Sequence, residues 1–204
     1  MEVKQVESDN KFSMQYIKDL AEEISRNNLV TYEDLPHYDL FLSQVIDYLN
    51  DKFQGEKYTN NIVQNYIKSG VISKPEDGKK RGYTKVHLAQ LALLSYMRPI
   101  LNTDEIKKVF GLAFNEINDK DDDLISWEMI YKVFSEILKE TFEKSLSREL
   151  IHEEKLKSII KDSNIKDEDE ERILVFLVVM TLIAEASSIK KLVQKLVQQY
   201  GIDL

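Results

Sequence analysis

Apolar residues recur at three- and four-residue steps along most of this chain, the mark of amphipathic helices rather than strands. Phe12, Tyr16, Ile17, Leu20 and Ile24 predict a helix over Lys11–Asn28, interrupted by Asn27-Asn28 and then Pro36. Leu42, Val45, Ile46, Leu49 and Phe53 predict a second over Asp39–Phe53, closed by Gly55. A third is bracketed by Thr59, an N-capping hydroxyl, and by Gly70, the residue type that leaves a helix through the left-handed region. Its wheel divides in two: Ile62, Val63, Tyr66 and Ile67 fill one arc, and Asn61, Gln64, Asn65 and Lys68 the other. Val71–Tyr83 breaks the helical period; its Pro75 and its Asp77-Gly78 pair predict a tight β-hairpin. Thr84 then caps a helix running through Leu88, Leu91, Ala92 and Leu94 toward Pro99. Asn102-Thr103-Asp104-Glu105 has capping-box spacing, and the stripe Ile106, Val109, Phe110, Ala113, Phe114, Ile117 follows it.

The remainder also reads as helix. Ser126–Ser145 carries Ile130, Val133, Phe134, Ile137, Leu138 and Phe142, and a continuation passes Leu150, Ile151, Leu156, Ile159 and Ile160. After the acidic break Asp167–Glu171, one long helix is expected to reach Gly201, roughly 50 Å at ~1.5 Å per residue. Its first half, Ile173–Ala184, is apolar nearly all round, while its second narrows to Ile189, Leu192, Val193, Leu196, Val197 and Tyr200. The twelve-residue run Ile173–Ala184 falls short of the ~20 residues that span a bilayer, so a buried helix is expected and no membrane. Two roles stay open for this segment. It forms the core of a second helical bundle, or its outer part, Ile189–Tyr200, forms a dimer seam.

Charge changes the picture in one place. Lys57–Phe110 holds ten Lys/Arg against four acidic residues, a balance of +6 in a chain whose net charge is −8; everything else sums to −14. An acidic protein has gathered its cations in one window, and local field rather than total charge governs encounter with a polyanion. The absence of cysteine excludes disulfides and zinc–thiolate sites, and suits a reducing cytoplasm. The first ten residues lack the apolar core of a signal peptide, so a cytoplasmic location is expected. His37, His87 and His152 are scattered, and no phosphate-cradling glycine loop or nucleophile elbow is present. Asp119–Asp123 resembles the start of a calcium loop, but Leu124 and Ile130 stand where glycine and glutamate belong. No enzyme, metal site or cofactor is expected.

Tyr66-x-Lys68-x-Gly70-Val71-Ile72-x-x-Pro75, then Arg81-x-Tyr83-Thr84-x-x-x-Leu88-x-x-Leu91, then Leu101-x-x-Asp104-Glu105-Ile106, is similar in order and spacing to the DNA-binding head of MerR-type regulators. Leu35-Pro36…Leu40, leading to Asn60-Asn61…Asn65-Tyr66, resembles more closely still a bacterial family known as domain of unknown function 1836, held to have a MerR-like head. Gln64, Asn65 and Tyr66 stand where MerR-type helices usually carry an arginine and paired aromatics.

The expected architecture is therefore all-α with a small β-hairpin wing: an N-terminal helix (1–30) packed on a MerR-like winged helix-turn-helix head (31–114), and a helical C-terminal region (115–204). Asn and Gln bond bidentately to adenine, so Asn60, Asn61, Gln64 and Asn65 are the candidates for base contacts. Tyr66, Lys68, Lys74, Lys79, Lys80, Arg81, Tyr83 and Lys85 are the candidates for phosphate contacts. The expected function is sequence-specific binding of double-stranded DNA in transcriptional control, by a homodimer answering to an unidentified small-molecule effector. The rival expectation is a helical protein-interaction or small-ligand-binding module that binds no DNA.

Overall fold

The structure, a computed structural model, describes residues 14–53, 55, 57–75, 82–119, 123–147, 158 and 167–202. Its elements are α1 (Met14–Asn28), α2 (Leu42–Lys52), α3 (Asn60–Lys68), α4 (Lys85–Met97), α5 (Thr103–Phe110), α6 (Trp127–Ser147) and α7 (Asp167–Tyr200). The protein is mostly helical, and the described residues contain no strand.

Local chemistry sets most of the helix ends. The Thr59 hydroxyl accepts from the Ile62 amide at 3.3 Å, and α3 leaves through Gly70 at φ 72°, where a side chain would be strained. The turn after it is fastened by the Tyr66 carbonyl, which accepts from the Val71 amide at 2.9 Å. At α5, Asn102 Oδ1 accepts from the Asp104 and Glu105 amides at 3.0 Å, and Glu105 returns the bond by accepting from the Asn102 amide at 2.9 Å. The stripe predicted beyond this point does not stay helical. Helix α5 stops at Phe110, the chain turns at Gly111, and Phe114 reaches the core from that turn, stacked on Trp127 at 3.4 Å.

The hairpin expected over Val71–Tyr83 also differs. Its turn, 76–81, lies outside the described residues, and its two arms are held by other partners. On the first arm, the Ser73 amide and hydroxyl both donate to Gln90 Oε1, at 3.1 and 2.9 Å. On the second, Tyr83 forms an isolated antiparallel bridge with Leu40: the Leu40 amide donates to the Tyr83 carbonyl at 2.9 Å, and the Tyr83 amide donates back at 3.3 Å.

One core joins these pieces. Helix α4 is its axis, packed against α2 and α6, and Leu88, Leu91, Ala92 and Leu94 are fully buried. Buried Tyr131 brings α6 onto the segment before α2 by donating its hydroxyl to the Val30 carbonyl at 3.0 Å. Helix α1 packs on α6, and α7 packs on α5, where Val197 is buried in the common core.

Beyond that contact α7 departs from expectation. Ile173–Ala184 was expected to be buried, yet among its described residues Val178 alone is buried, at 3% exposure, with Leu174, Val175 and Leu177 half-buried. Phe176 and Ile183 are exposed at 58% and 51%. By length and composition alone, Asp169–Tyr200 is one helix apolar enough to cross a membrane.

Candidate nucleic-acid interface

The candidate face is built on α3, whose two arcs separate in space as they do on the wheel. Val63 and Ile67 are buried and Ile62 and Tyr66 are half-buried against the core. Asn60, Asn61, Asn65 and Lys68 are exposed, and Gln64 is intermediate. Residues 57–75 carry Lys57, Lys68 and Lys74, all exposed, and no acidic residue.

Helix α3 is anchored by residues that pattern reading had not singled out. Asn50 of α2 grips Tyr58 through both backbone groups, its Oδ1 accepting from the Tyr58 amide at 2.7 Å and its Nδ2 donating to the Tyr58 carbonyl at 3.1 Å. The Tyr58 hydroxyl donates to the Leu91 carbonyl at 3.2 Å and lies 2.9 Å from Ser95 Oγ, so α2, the entry to α3 and α4 share one set of bonds. Arg98 sits over the Tyr58 ring at 4.3 Å, and burial raises the phenol pKa. Asn50 and Gln90 do have a signal in sequence. Gln90 is an amide beside Val86, Leu93 and Leu94 at helical spacing, whereas Asn50 has Asp47 one turn away, so the signal at Gln90 is the clearer of the two.

The candidate phosphate contacts fall into separate places. Lys68 and Lys74 are exposed beside α3, and the Lys74 amide donates to Asn118 Oδ1 at 2.9 Å. Tyr66 lies half in the core. Tyr83 is buried at 5% exposure, and its hydroxyl lies 3.3 Å from the donating Nε2 of Gln64. Burial raises the Tyr83 pKa, and the Gln64 bond opposes that shift. Gln64 thus ties α3 to the segment that enters α4. Lys85 belongs to another cluster: its ammonium lies 4.0 Å from the centre of the Tyr32 ring and 3.2 Å from His37 Nδ1. That cluster continues into α6 through Lys132, which pairs with Glu128 at 2.7 Å. Lys79, Lys80 and Arg81 lie outside the described residues.

The candidate dimer seam divides as well. Val197 is buried and Val193 half-buried against the protein's own core, whereas Ile189, Leu192, Leu196 and Tyr200 are exposed at 59%, 59%, 48% and 60%. Among the described residues, no group of three His, Asp or Glu side chains is placed to hold a metal ion.

This arrangement defines an all-α protein whose third helix shows solvent a face of amides and lysine. The family model described as Domain of unknown function (DUF1836) matches residues 30–134, just over half of the 204-residue chain, and the protein belongs to that family. Its matched span begins at Val30 and ends inside α6, so it takes in all of α2 to α5. No curated protein and no solved structure matches the chain.

Proposed function

We propose that the protein is a sequence-specific DNA-binding regulator with a MerR-like winged helix-turn-helix head. The observation that carries this reading is the solvent face of α3: Asn60, Asn61, Asn65 and Lys68 exposed together, with no carboxylate between residues 57 and 75. Asn61, Gln64 and Asn65 meet base edges in the major groove, and Lys68 and Lys74 meet phosphates on either side. The wing of this reading would carry Lys79, Lys80 and Arg81, which lie outside the described residues. Two copies pair through Ile189, Leu192, Leu196 and Tyr200, which presents two heads to two half-sites. Lys190, Lys191 and Lys195 interrupt α7 on this stretch, which favours a protein seam over a lipid-facing span.

The test is a titration of the full chain against a random-sequence duplex at two salt concentrations. For about six phosphate contacts, affinity falls roughly a thousandfold between ~50 and ~200 mM salt. Replacing Lys79, Lys80 and Arg81 together by Ala lowers the slope of that dependence by about three. On a selected site, Asn61→Ala or Asn65→Ala costs about 1–3 kcal/mol and leaves the slope unchanged. Absent or salt-insensitive binding would falsify the reading in favour of a protein-interaction or small-ligand module.

A further inference from the structure

A second site lies away from α3, where the C-terminal half of α4, the end of α5 and the middle of α6 leave a cavity of about 400 Å³. Every described side chain that lines it is aliphatic or aromatic except the Met97 thioether. The one polar group among them, the Tyr96 hydroxyl, is hydrogen-bonded to the Val30 backbone. Among the described residues, no charged side chain lines the cavity.

We propose that this cavity binds a small uncharged molecule with a hydrocarbon or aromatic body. The volume lies within the roughly 300–1,000 Å³ typical of small-molecule sites. Its walls include rings in contact with one another: Phe134 meets Tyr96 edge-on at 5.3 Å, and Phe110 meets Phe114 edge-on at 6.3 Å. Such walls preserve the concavity before a ligand arrives, which lowers the ordering cost of binding. The lack of any counter-charge sets the ligand class, because an ion entering here loses its hydration with nothing in return. The mouth is open on α6, where Val133 and Ile137 are exposed at 40% and 59%. A partner helix is the competing occupant. The long exposed side of α7 is a flat helical surface suited to a second helix, whereas this site is a local hollow between three helices. The inference is independent of DNA binding.

The probe is N-phenyl-1-naphthylamine, an uncharged aromatic fluorophore that brightens in apolar surroundings, titrated into the full-length protein. One probe per chain should bind saturably, with a dissociation constant of about 1–10 μM. Val133→Glu places a charge at the mouth on an already exposed position, so the fold is kept and affinity drops at least about tenfold. Ala113→Trp fills the hollow and abolishes binding, with a thermal melt run alongside to show that the variant folds. Decanol displaces the probe at about one-tenth the concentration that decanoate requires. Leu192→Lys with Leu196→Lys leaves the affinity within about twofold. Unsaturable binding, or indifference to Val133→Glu, would place the probe on exposed α7 and overturn the proposal. Tighter binding in the Leu192/Leu196 variant would show that a second copy occupies the hollow, and would overturn it equally.

Discussion

Helices α4 and α7 are both apolar around much of their circumference, yet they end in opposite environments. Helix α4 has 13 residues and buries seven of them, including Leu88, Leu91 and Leu94. Helix α7 has 34 residues, and only Val178 and Val197 are buried among those described. The difference is one of neighbours: among the described elements, α4 packs against α2 and α6, while α7 packs against α5. Hydropathy states how much surface must be removed from water. It does not name what removes it, and much of α7 stays in contact with water.

The largest test of this contrast is a pair of truncations. Leu91→Ala opens a cavity in a closed core and should cost about 2–5 kcal/mol in urea unfolding. Leu192→Ala should cost less than about 0.5 kcal/mol in dilute protein, where nothing covers the residue. Its cost should grow with protein concentration if α7 pairs two copies, because association stabilises the folded state by mass action. Equal effects at both positions in dilute protein would erase the distinction between the helices.

A smaller effect sharpens it. Leu192→Lys with Leu196→Lys puts two ammonium groups on the exposed side of α7 and should leave single-chain stability nearly intact. The double variant should weaken self-association at least about a hundredfold, read by light scattering as a change from two chains to one. An unchanged mass, or a wild-type protein that is a single chain at every concentration, would remove the seam and leave α7 to a different partner.

The smallest effect probes the head itself. Asp34 accepts from the Thr31 hydroxyl at 2.6 Å and the Thr31 amide at 3.0 Å, and these bonds hold its carboxyl pKa below the ordinary 3.8. A depressed folded pKa means the stabilisation is present above pH 3.8 and is lost as pH falls through the lower folded value. Asp34→Asn should cost about 1 kcal/mol at neutral pH and flatten that acid limb. A wild-type stability curve with no acid limb assignable to Asp34 would show that this turn contributes nothing.

Much of the head was readable from neighbours in the chain. Thr59 and Gly70 bracket α3 as their chemistry predicts, Asn102 and Glu105 start α5, and the two arcs of α3 separate in space. These signals act within about four residues, the reach of a helix hydrogen bond. What escaped sequence reading involves longer reach. The Tyr58 bond to Leu91 joins residues 33 apart, and the Tyr131 bond to Val30 joins residues 101 apart. The failed extension of α5 has the same origin, because Phe114 is drawn to Trp127, a partner that periodicity does not register. On the candidate site, exposure of the α3 amides was legible, but the engagement of Lys85 with Tyr32 and the burial of Tyr83 were not.

The order of apolar and polar residues by itself determined where helices start, which arc of each is greasy, and that amides and lysine share one arc of α3. Only the tertiary structure decided which greasy arcs find a cover within the same chain. Burial is a property of two surfaces meeting, and the second surface here is often dozens of residues away. That is why α4 became an enclosed axis and much of α7 an exposed arm.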